Sequence, residues 1–151
     1  MDLELPVRRH LPHMKPGWVD DGSRYFVTIN CLRRGVDVLC RQEVARALCE
    51  SVAVYERLDH WHMWLLMIMP DHVHLIAAFN WQRGLQRTIA AWKGYHAKQW
   101  GIEWQTGFFE HRLRDDAEFV EKASYIRMNP VRKGLVQDPP QWKYLWQRSG
   151  A

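Results

Sequence analysis

The apolar residues of the chain repeat with two different periods, and the changes of period predict its secondary structure. The segment 25–32 (YFVTINCL) is rich in β-branched and aromatic residues, which favours a strand. In the segment 41–58 apolar residues recur at every fourth position, as on one face of a helix. The apolar runs 61–69 and 72–79 predict two strands, and the Pro-Asp pair between them predicts a short turn that makes them antiparallel.

The second half of the chain shows the same change of period. The segment 81–100 carries one apolar stripe at helical spacing, and 104–114 (WQTGFFEHRLR) predicts a fourth strand. A third helix is expected over 117–129, with Asp115 or the aspartate after it as its N-terminal cap. Pro130 is expected to end this helix, because proline lacks a backbone N–H and restricts the residue before it.

These elements follow one another as strand, helix, strand, strand, helix, strand and helix. This order predicts an α+β fold, a ferredoxin-like split βαβ antiparallel sheet with an appended C-terminal helix. We divide the chain into an irregular N-terminal arm (1–24), one domain (25–136) and a short C-terminal tail (137–151). The apolar runs are shorter than the roughly 18 residues of a membrane span, and the start has no signal-peptide core. We therefore expect a cytoplasmic protein without membrane contact.

Charge and aromatic content then suggest an anionic partner. The chain has a net charge of +4, with 21 Lys and Arg residues and nine Trp residues. Cationic side chains follow a phosphate backbone and aromatic rings stack on unpaired bases, so this combination is typical of single-strand binding, although core packing would also explain the Trp content. Cys31, Cys40 and Cys49 lack the spacing of a zinc site and are expected to be buried thiols.

The sharpest chemical signal is a pair of histidines in the apolar run MPDHVHLIAAF (69–79). On a strand, His72 and His74 share one face while Val73 points to the other. Two imidazoles about 7 Å apart along a strand can bind one divalent metal ion. Such a pair can equally be structural or exposed at the surface, so the strand geometry leaves both possibilities open.

The segment ASYIRMNPVRKGLV (123–136) contains further candidate groups. Tyr125 and Asn129 are four residues apart, so on a helix they share a face and present a hydroxyl nucleophile beside an amide oxygen ligand. Alternatively, Tyr125 is a packed aromatic residue and Asn129 caps the helix. Three cations of the same segment would favour a bound phosphate: Arg127, Arg132 and Lys133.

Together these groups predict phosphodiester transesterification. A metal ion held by two neutral imidazoles and an amide oxygen keeps positions for phosphate oxygens and stabilises the charge that develops on attack. A tyrosine hydroxyl, whose ordinary pKa is about 10, needs such help at neutral pH. Imidazole ligands suit zinc or manganese, whereas phosphate oxygens suit magnesium or manganese, so the metal stays open. We identify no general base from the sequence.

These motifs resemble those of a known family. MPDHVHLI is an HUH motif (histidine, hydrophobic residue, histidine), and YIRMNPVRKGLV is similar to the tyrosine segment of the single-tyrosine HUH transposases. Within that group the chain most resembles the REP-associated tyrosine transposases, which act on repetitive extragenic palindromes (REPs) in bacteria. The similarity extends from Arg8 to Val136 and includes RYFVT in the first strand and WQTGFFEHRLR in the fourth.

The resemblance implies a ferredoxin-like sheet with the HUH strand near its centre and a role for each motif residue. It implies that His72 and His74 bind Mg²⁺ or Mn²⁺, with Asn129 as the third ligand. It also implies that Tyr125 attacks a scissile phosphate in single-stranded DNA, forms a 5′-phosphotyrosine and releases a 3′-hydroxyl. The implied substrate is hairpin DNA with a short flanking single strand.

We also expect five cationic residues to contact DNA: Arg112, Arg114, Arg127, Arg132 and Lys133. Two alternatives for the function remain open. One is a catalytically silent nucleic-acid-binding module on the same fold, and the other is an HUH nickase of the replication-initiator type. The sequence also leaves open whether the protein is a monomer or a homodimer.

Overall fold

The structure is a computed structural model that describes residues 15–20 and 23–150, so most of the predicted N-terminal arm lies outside the described residues. The strands and α-helices of this part of the chain are β1 (Arg24–Asn30), α1 (Gln42–Arg57), β2 (Trp61–Met69), β3 (His72–Phe79), α2 (Leu85–Trp100), β4 (Phe109–Leu113), α3 (Asp116–Arg132) and β5 (Leu145–Gln147). A 3₁₀ helix, Pro139–Gln141, precedes β5. Among these described helices, none is long and apolar enough to cross a membrane.

The strands form one antiparallel sheet in the order β4-β1-β3-β2-β5. The first four strands have the order of the ferredoxin-like split βαβ fold, which confirms the predicted fold class. β3 lies at the centre of the sheet and all of its residues are buried. Pro70 and Asp71 form the turn between β2 and β3, where Met69 pairs with His72.

Each face of the sheet is covered by helices, and the alternation of side chains along β3 divides its residues between the two faces. On one face α1 and α2 pack over the larger core, which contains Val73. On the other face α3 packs over a smaller core, which contains Ala123 of the helix and Ile76 of β3. We call these the α1–α2 face and the α3 face. His72 and His74 alternate with Val73 and therefore lie on the α3 face.

The α3 helix continues through Pro130, so the expectation that this proline ends the helix is wrong. The helix ends at Arg132, and the Lys133 N–H then donates to the Asn129 carbonyl. Pro130 is buried, and this burial offsets the hydrogen bond that its missing N–H would have made. At the other end, the predicted Asp115 caps the helix by accepting the backbone N–H three residues later.

Three other features differ from the sequence analysis. The fourth strand is shorter than predicted, because the chain turns at Gly107 with a φ of 75° and leaves Trp104 in an isolated pair with Cys31. The segment 137–151 contributes β5, a strand of three residues that is too short to show a period. Cys40 is half-buried, while Cys31 and Cys49 are buried as expected.

Candidate functional site

The two histidines of the HVH motif lie side by side on the α3 face of β3. Their ring centroids are 4.7 Å apart, and both side chains are buried. Val73 between them packs into the core of the α1–α2 face. This packing determines the register of the strand and directs both imidazoles towards α3.

Each imidazole is held through its Nδ1 atom. His72 Nδ1 lies 2.8 Å from Asp71 Oδ1 and donates to it, because a carboxylate only accepts. His74 Nδ1 lies 2.8 Å from the Thr28 hydroxyl on the neighbouring strand β1. When both Nδ1 atoms carry the proton, the lone pairs that can bind a ligand are on the Nε2 atoms. Hydrogen bonds of this kind orient metal-binding histidines and fix their tautomer.

Asp71 is itself held by the loop after β1. Its Oδ2 atom accepts the Gly35 N–H at 2.8 Å and lies 3.4 Å from Arg34 Nε. Burial acts to raise the pKa of Asp71, but the hydrogen bonds from Gly35 and His72 and the charge of Arg34 outweigh it and lower the pKa. Asp71 is therefore a carboxylate at neutral pH, as its bond to His72 requires.

Burial also keeps both imidazoles neutral. Desolvation is the main cause that lowers the pKa of His74 to about 3, and the neighbouring cations act in the same direction. Burial likewise lowers the pKa of His72, although Asp71 opposes the shift. A neutral imidazole is the form that binds a metal ion.

Asn129 brings an amide to the histidine pair from α3. It is 3% exposed, and its Nδ2 atom lies 3.5 Å from His72 Nε2. The amide oxygen on the same side chain is a ligand that Mg²⁺ and Mn²⁺ accept. No group of three His, Cys, Asp or Glu side chains that could hold a metal ion occurs within residues 15–20 and 23–150. The donors that fit a divalent ion here are therefore two imidazoles and one amide.

Tyr125 lies on α3 with two cationic side chains over its ring. Its side chain is 47% exposed, with Arg132 Cζ 4.0 Å and Lys122 Nζ 5.0 Å from the ring centroid. Lys122 Nζ also lies 4.5 Å from the centroid of Phe26, which stacks on His74 with the two centroids 5.4 Å apart. This series of contacts connects the exposed tyrosine to the histidine pair.

Two of the five cations expected to contact DNA lie beside these groups. Arg132 packs on the Tyr125 ring and donates to the Tyr125 carbonyl at 2.8 Å. Lys133 lines an open pocket of about 450 Å³ together with Arg34 and His72. The C-terminal end of α3 therefore carries positive charge close to the histidine pair.

The other three cations lie elsewhere. Arg114 precedes the start of α3, roughly 20 Å along the helix from the histidine pair, and forms an ion pair with Glu118 at 2.9 Å. Arg112 pairs with Tyr25 in the sheet and so lies on the α1–α2 face. Arg127 donates to Gln147 at the opposite edge of the sheet, at 3.0 Å. These three residues belong to the sequence segments that resemble the family, but in the structure they lie away from the candidate site.

Sequence reasoning did not assign three residues that complete this site. Asp71 directly precedes His72, so the Asp-His pair in the motif was an available signal. The contact of Thr28 depends on the pairing of β1 with β3, which the sequence does not show. The contact of Lys122 with Phe26 arises from the packing of α3 on the sheet, which the sequence does not show either.

Comparisons with known proteins give sequence relatives but no matching family model. A REP-associated tyrosine transposase of Escherichia coli K12 is 24% identical over 128 residues, which cover 82% of this chain and 75% of that protein. A Haemophilus influenzae protein, provisionally described as a REP-associated tyrosine transposase, is 29% identical over 97 residues. These residues cover 52% of this chain and 54% of that protein.

Solved structures share the fold. The structure of a REP-associated tyrosine transposase bound to a REP hairpin aligns with a TM-score of 0.72 and 22% identity, over 87% of this chain and 81% of that chain. A Deinococcus radiodurans protein provisionally described as a transposase aligns with a TM-score of 0.52 and 20% identity, over 75% of this chain and 94% of that chain. The resemblance suggested by the motifs is thereby confirmed, because the chain is similar to the REP-associated tyrosine transposases in sequence over most of its length and has their fold.

Proposed function

We propose that the protein is a metal-dependent single-strand DNA endonuclease and strand transferase that acts on hairpin DNA of repetitive extragenic palindromes. The observation that carries this proposal is that two neutral imidazoles, a buried amide and an exposed tyrosine lie on the same face of the sheet, the α3 face. The sequence relatives named as REP-associated tyrosine transposases, and the structural neighbour bound to a REP hairpin, support the same class of activity and substrate.

His72, His74 and Asn129 would hold the divalent ion, which we propose to be Mg²⁺ or Mn²⁺. When bound, the ion would polarise a phosphate group and stabilise negative charge that develops on its oxygens. Asp71 and Thr28 hold the two imidazoles by their Nδ1 atoms, so that Nε2 is the ligand atom of each. This arrangement supports binding without a change of tautomer.

Tyr125 is the proposed nucleophile. Its hydroxyl oxygen attacks the phosphorus of a phosphodiester and gives up its proton to solvent. The bond from phosphorus to the 3′ oxygen breaks, and that oxygen takes a proton from solvent and leaves as a 3′-hydroxyl. The 5′-phosphotyrosine that forms conserves the phosphodiester for rejoining to another 3′-hydroxyl. Arg132 and Lys122 place positive charge close to the Tyr125 ring, where it would stabilise the reacting phosphate.

A labelled-DNA assay tests the proposal. Hairpins with randomised single-stranded flanks are first selected for binding to the protein, and a selected hairpin is then incubated with the protein and Mn²⁺. With the label at the 3′ end of the DNA, we expect a covalent adduct on a denaturing gel, because the 5′-phosphate of the downstream strand stays on the protein. With the label at the 5′ end, we expect a shorter free strand that ends in a 3′-hydroxyl.

Variants separate the proposed roles. Tyr125→Phe and His72→Ala should form no adduct, while Tyr95→Phe, which changes another exposed tyrosine on α2, should behave like the wild type. An adduct that survives Tyr125→Phe would exclude Tyr125 as the nucleophile. Hairpin binding that is indifferent to a chelator, with no adduct under any condition, would instead indicate the catalytically silent binding module.

A further inference from the structure

Phe109 is an exposed aromatic residue at the rim of the smaller core. Its side chain is 57% exposed, and its ring touches the smaller core of the α3 face only through Phe26. It lies at the start of β4, which is the edge strand of the sheet. An aromatic ring that stays mostly in water stabilises the fold much less than a buried one, so its location relative to the candidate site is informative.

The pairing of the strands places Phe109 beside the histidine pair. In the antiparallel register of β4 with β1, Phe109 stands opposite Thr28, the residue that holds His74, and so its side chain is on the α3 face. Its ring meets Phe26 edge to face with the centroids 6.0 Å apart. Phe26 in turn stacks on His74, so only one ring separates Phe109 from the histidine pair.

Cationic side chains border this aromatic surface on one side. Lys122 lies over Phe26, and both Lys122 and Arg132 lie over the Tyr125 ring on α3. The other side is the free edge of β4, beyond which the described chain adds no strand. A nucleic-acid strand bound here would have its phosphates near the cations of α3 and a base over the exposed ring of Phe109 on β4.

We propose that Phe109 is a stacking platform for an unpaired nucleobase of single-stranded DNA bound at the candidate site. The inference rests on the proposed function, because the cations that would fix the phosphates are those assigned there to the reacting strand. A nucleobase suits the position since every base offers a π face to an aromatic ring, and stacking of this kind tolerates any sequence. Phe109 would therefore help to position the strand without selecting a particular base.

The test separates stacking from charge by using two oligonucleotides with the same number of phosphates. One is a fluorescent oligo(dT), and the other has the same length but carries only abasic sites. Affinities are measured by fluorescence anisotropy in EDTA, in a Tyr125→Phe background, so that neither metal nor cleavage contributes. Phe109→Ala should weaken oligo(dT) binding by about 5- to 150-fold and leave abasic binding nearly unchanged. Phe109→Trp should retain the preference for oligo(dT).

Two controls make the result specific. Trp81→Ala removes a ring that is 75% exposed at the other end of β3, and it should change neither affinity. Arg132→Ala should weaken the binding of both oligonucleotides by a similar factor, because it removes charge rather than stacking.

The outcome is decisive for Phe109 independently of cleavage. If the wild type binds both oligonucleotides equally, or if Phe109→Ala weakens both by the same factor, no base stacks on this ring and the inference is wrong. A selective loss with oligo(dT) in a protein that forms no covalent adduct would keep the stacking site and reject the nuclease. The oligonucleotide affinities therefore test the stacking site, and the covalent adduct separately tests the nuclease activity.

Discussion

The two faces of the sheet are built on the same strands but bury different kinds of side chain. The α1–α2 face closes over the larger core, in which apolar residues of both helices, such as Trp92, meet the sheet. The α3 face has a smaller apolar core, and its buried set extends to His72, His74 and Asn129 beside the exposed Tyr125. We conclude that the α1–α2 face mainly stabilises the fold. The α3 face buries fewer apolar residues and holds polar groups close together instead.

Two buried histidines show how the faces can be told apart. His96 on α2 is buried, and neither of its ring nitrogens has a hydrogen-bond partner in the described part of the chain. His74 has Thr28 as a partner. Burial lowers the pKa of both residues, to about 4 for His96 and about 3 for His74. A shifted pKa therefore does not distinguish the candidate site here, whereas the partners that orient the ring do.

The largest expected effect on stability comes from truncating the core of the α1–α2 face. Trp92 is fully buried and its Nε1 donates to Ser51 Oγ at 2.9 Å. Trp92→Ala should lower the free energy of unfolding by about 3–5 kcal/mol, through lost burial and the cavity left behind. Urea denaturation measures this loss. Tyr125→Phe, at an exposed position, should change it by less than about 0.5 kcal/mol. If the two variants lost the same free energy of unfolding, the α1–α2 face would not contribute more to stability than the α3 face.

The next effect is a loss of stability in acid that depends on His96. Because burial lowers its pKa to about 4 in the folded protein, below the value of about 6.5 in an unfolded chain, the unfolded state binds more protons between these values. Stability should fall as the pH drops from about 6.5 to 4, with His96 contributing on the order of 3 kcal/mol at most.

His96→Phe tests this contribution by urea denaturation at several pH values. The variant should lose less stability in acid, and at neutral pH it should be more stable by roughly 1 kcal/mol, since two unpartnered buried nitrogens are removed. An unchanged pH dependence would show that His96 is not a source of the acid loss. The remaining acid sensitivity is expected from His72 and His74, whose pKa values burial also lowers.

The smallest of these effects concerns the binding of a metal ion on the α3 face. Asp71→Asn removes the charge that holds His72 Nδ1, and it should weaken Mn²⁺ binding by about 10- to 100-fold in isothermal titration. Thr28→Val should act similarly through His74, and Thr28→Ser, which keeps the hydroxyl, should bind Mn²⁺ like the wild type. Unchanged Mn²⁺ affinity in Asp71→Asn and Thr28→Val would show that these residues do not position the imidazoles.

Much of the fold could be predicted because its signals are local. The bounds of β2 and β3 agree with the apolar runs 61–69 and 72–79, since a strand of this length shows its character in its own residues. The end of α3 could not be predicted from Pro130, because the burial of this residue is a property of the tertiary structure. β5 was missed for a related reason, as its three residues become a strand only through their pairing with β2.

The candidate site divides in the same way. The motif identified His72, His74, Tyr125 and Asn129 as candidates, and the structure brings these residues to one face. It does not bring all five expected DNA contacts there, since the side on which a cation lies follows from register and helix packing. Arg127 illustrates the point, because it is two residues from Tyr125 and thus on nearly the opposite side of the helix.

The sequence by itself determined the order of the first four strands and the three α-helices and the shared face of the two histidines. Both follow from the period of side chains along one segment, which is a local property of the backbone. Only the tertiary structure decided which helix covers that face, which residues hold the imidazoles and which cations lie near them. Thr28 reaches His74 through the register of two strands, and Asn129 reaches His72 through the packing of α3. These contacts join distant parts of the chain, so no local period encodes them.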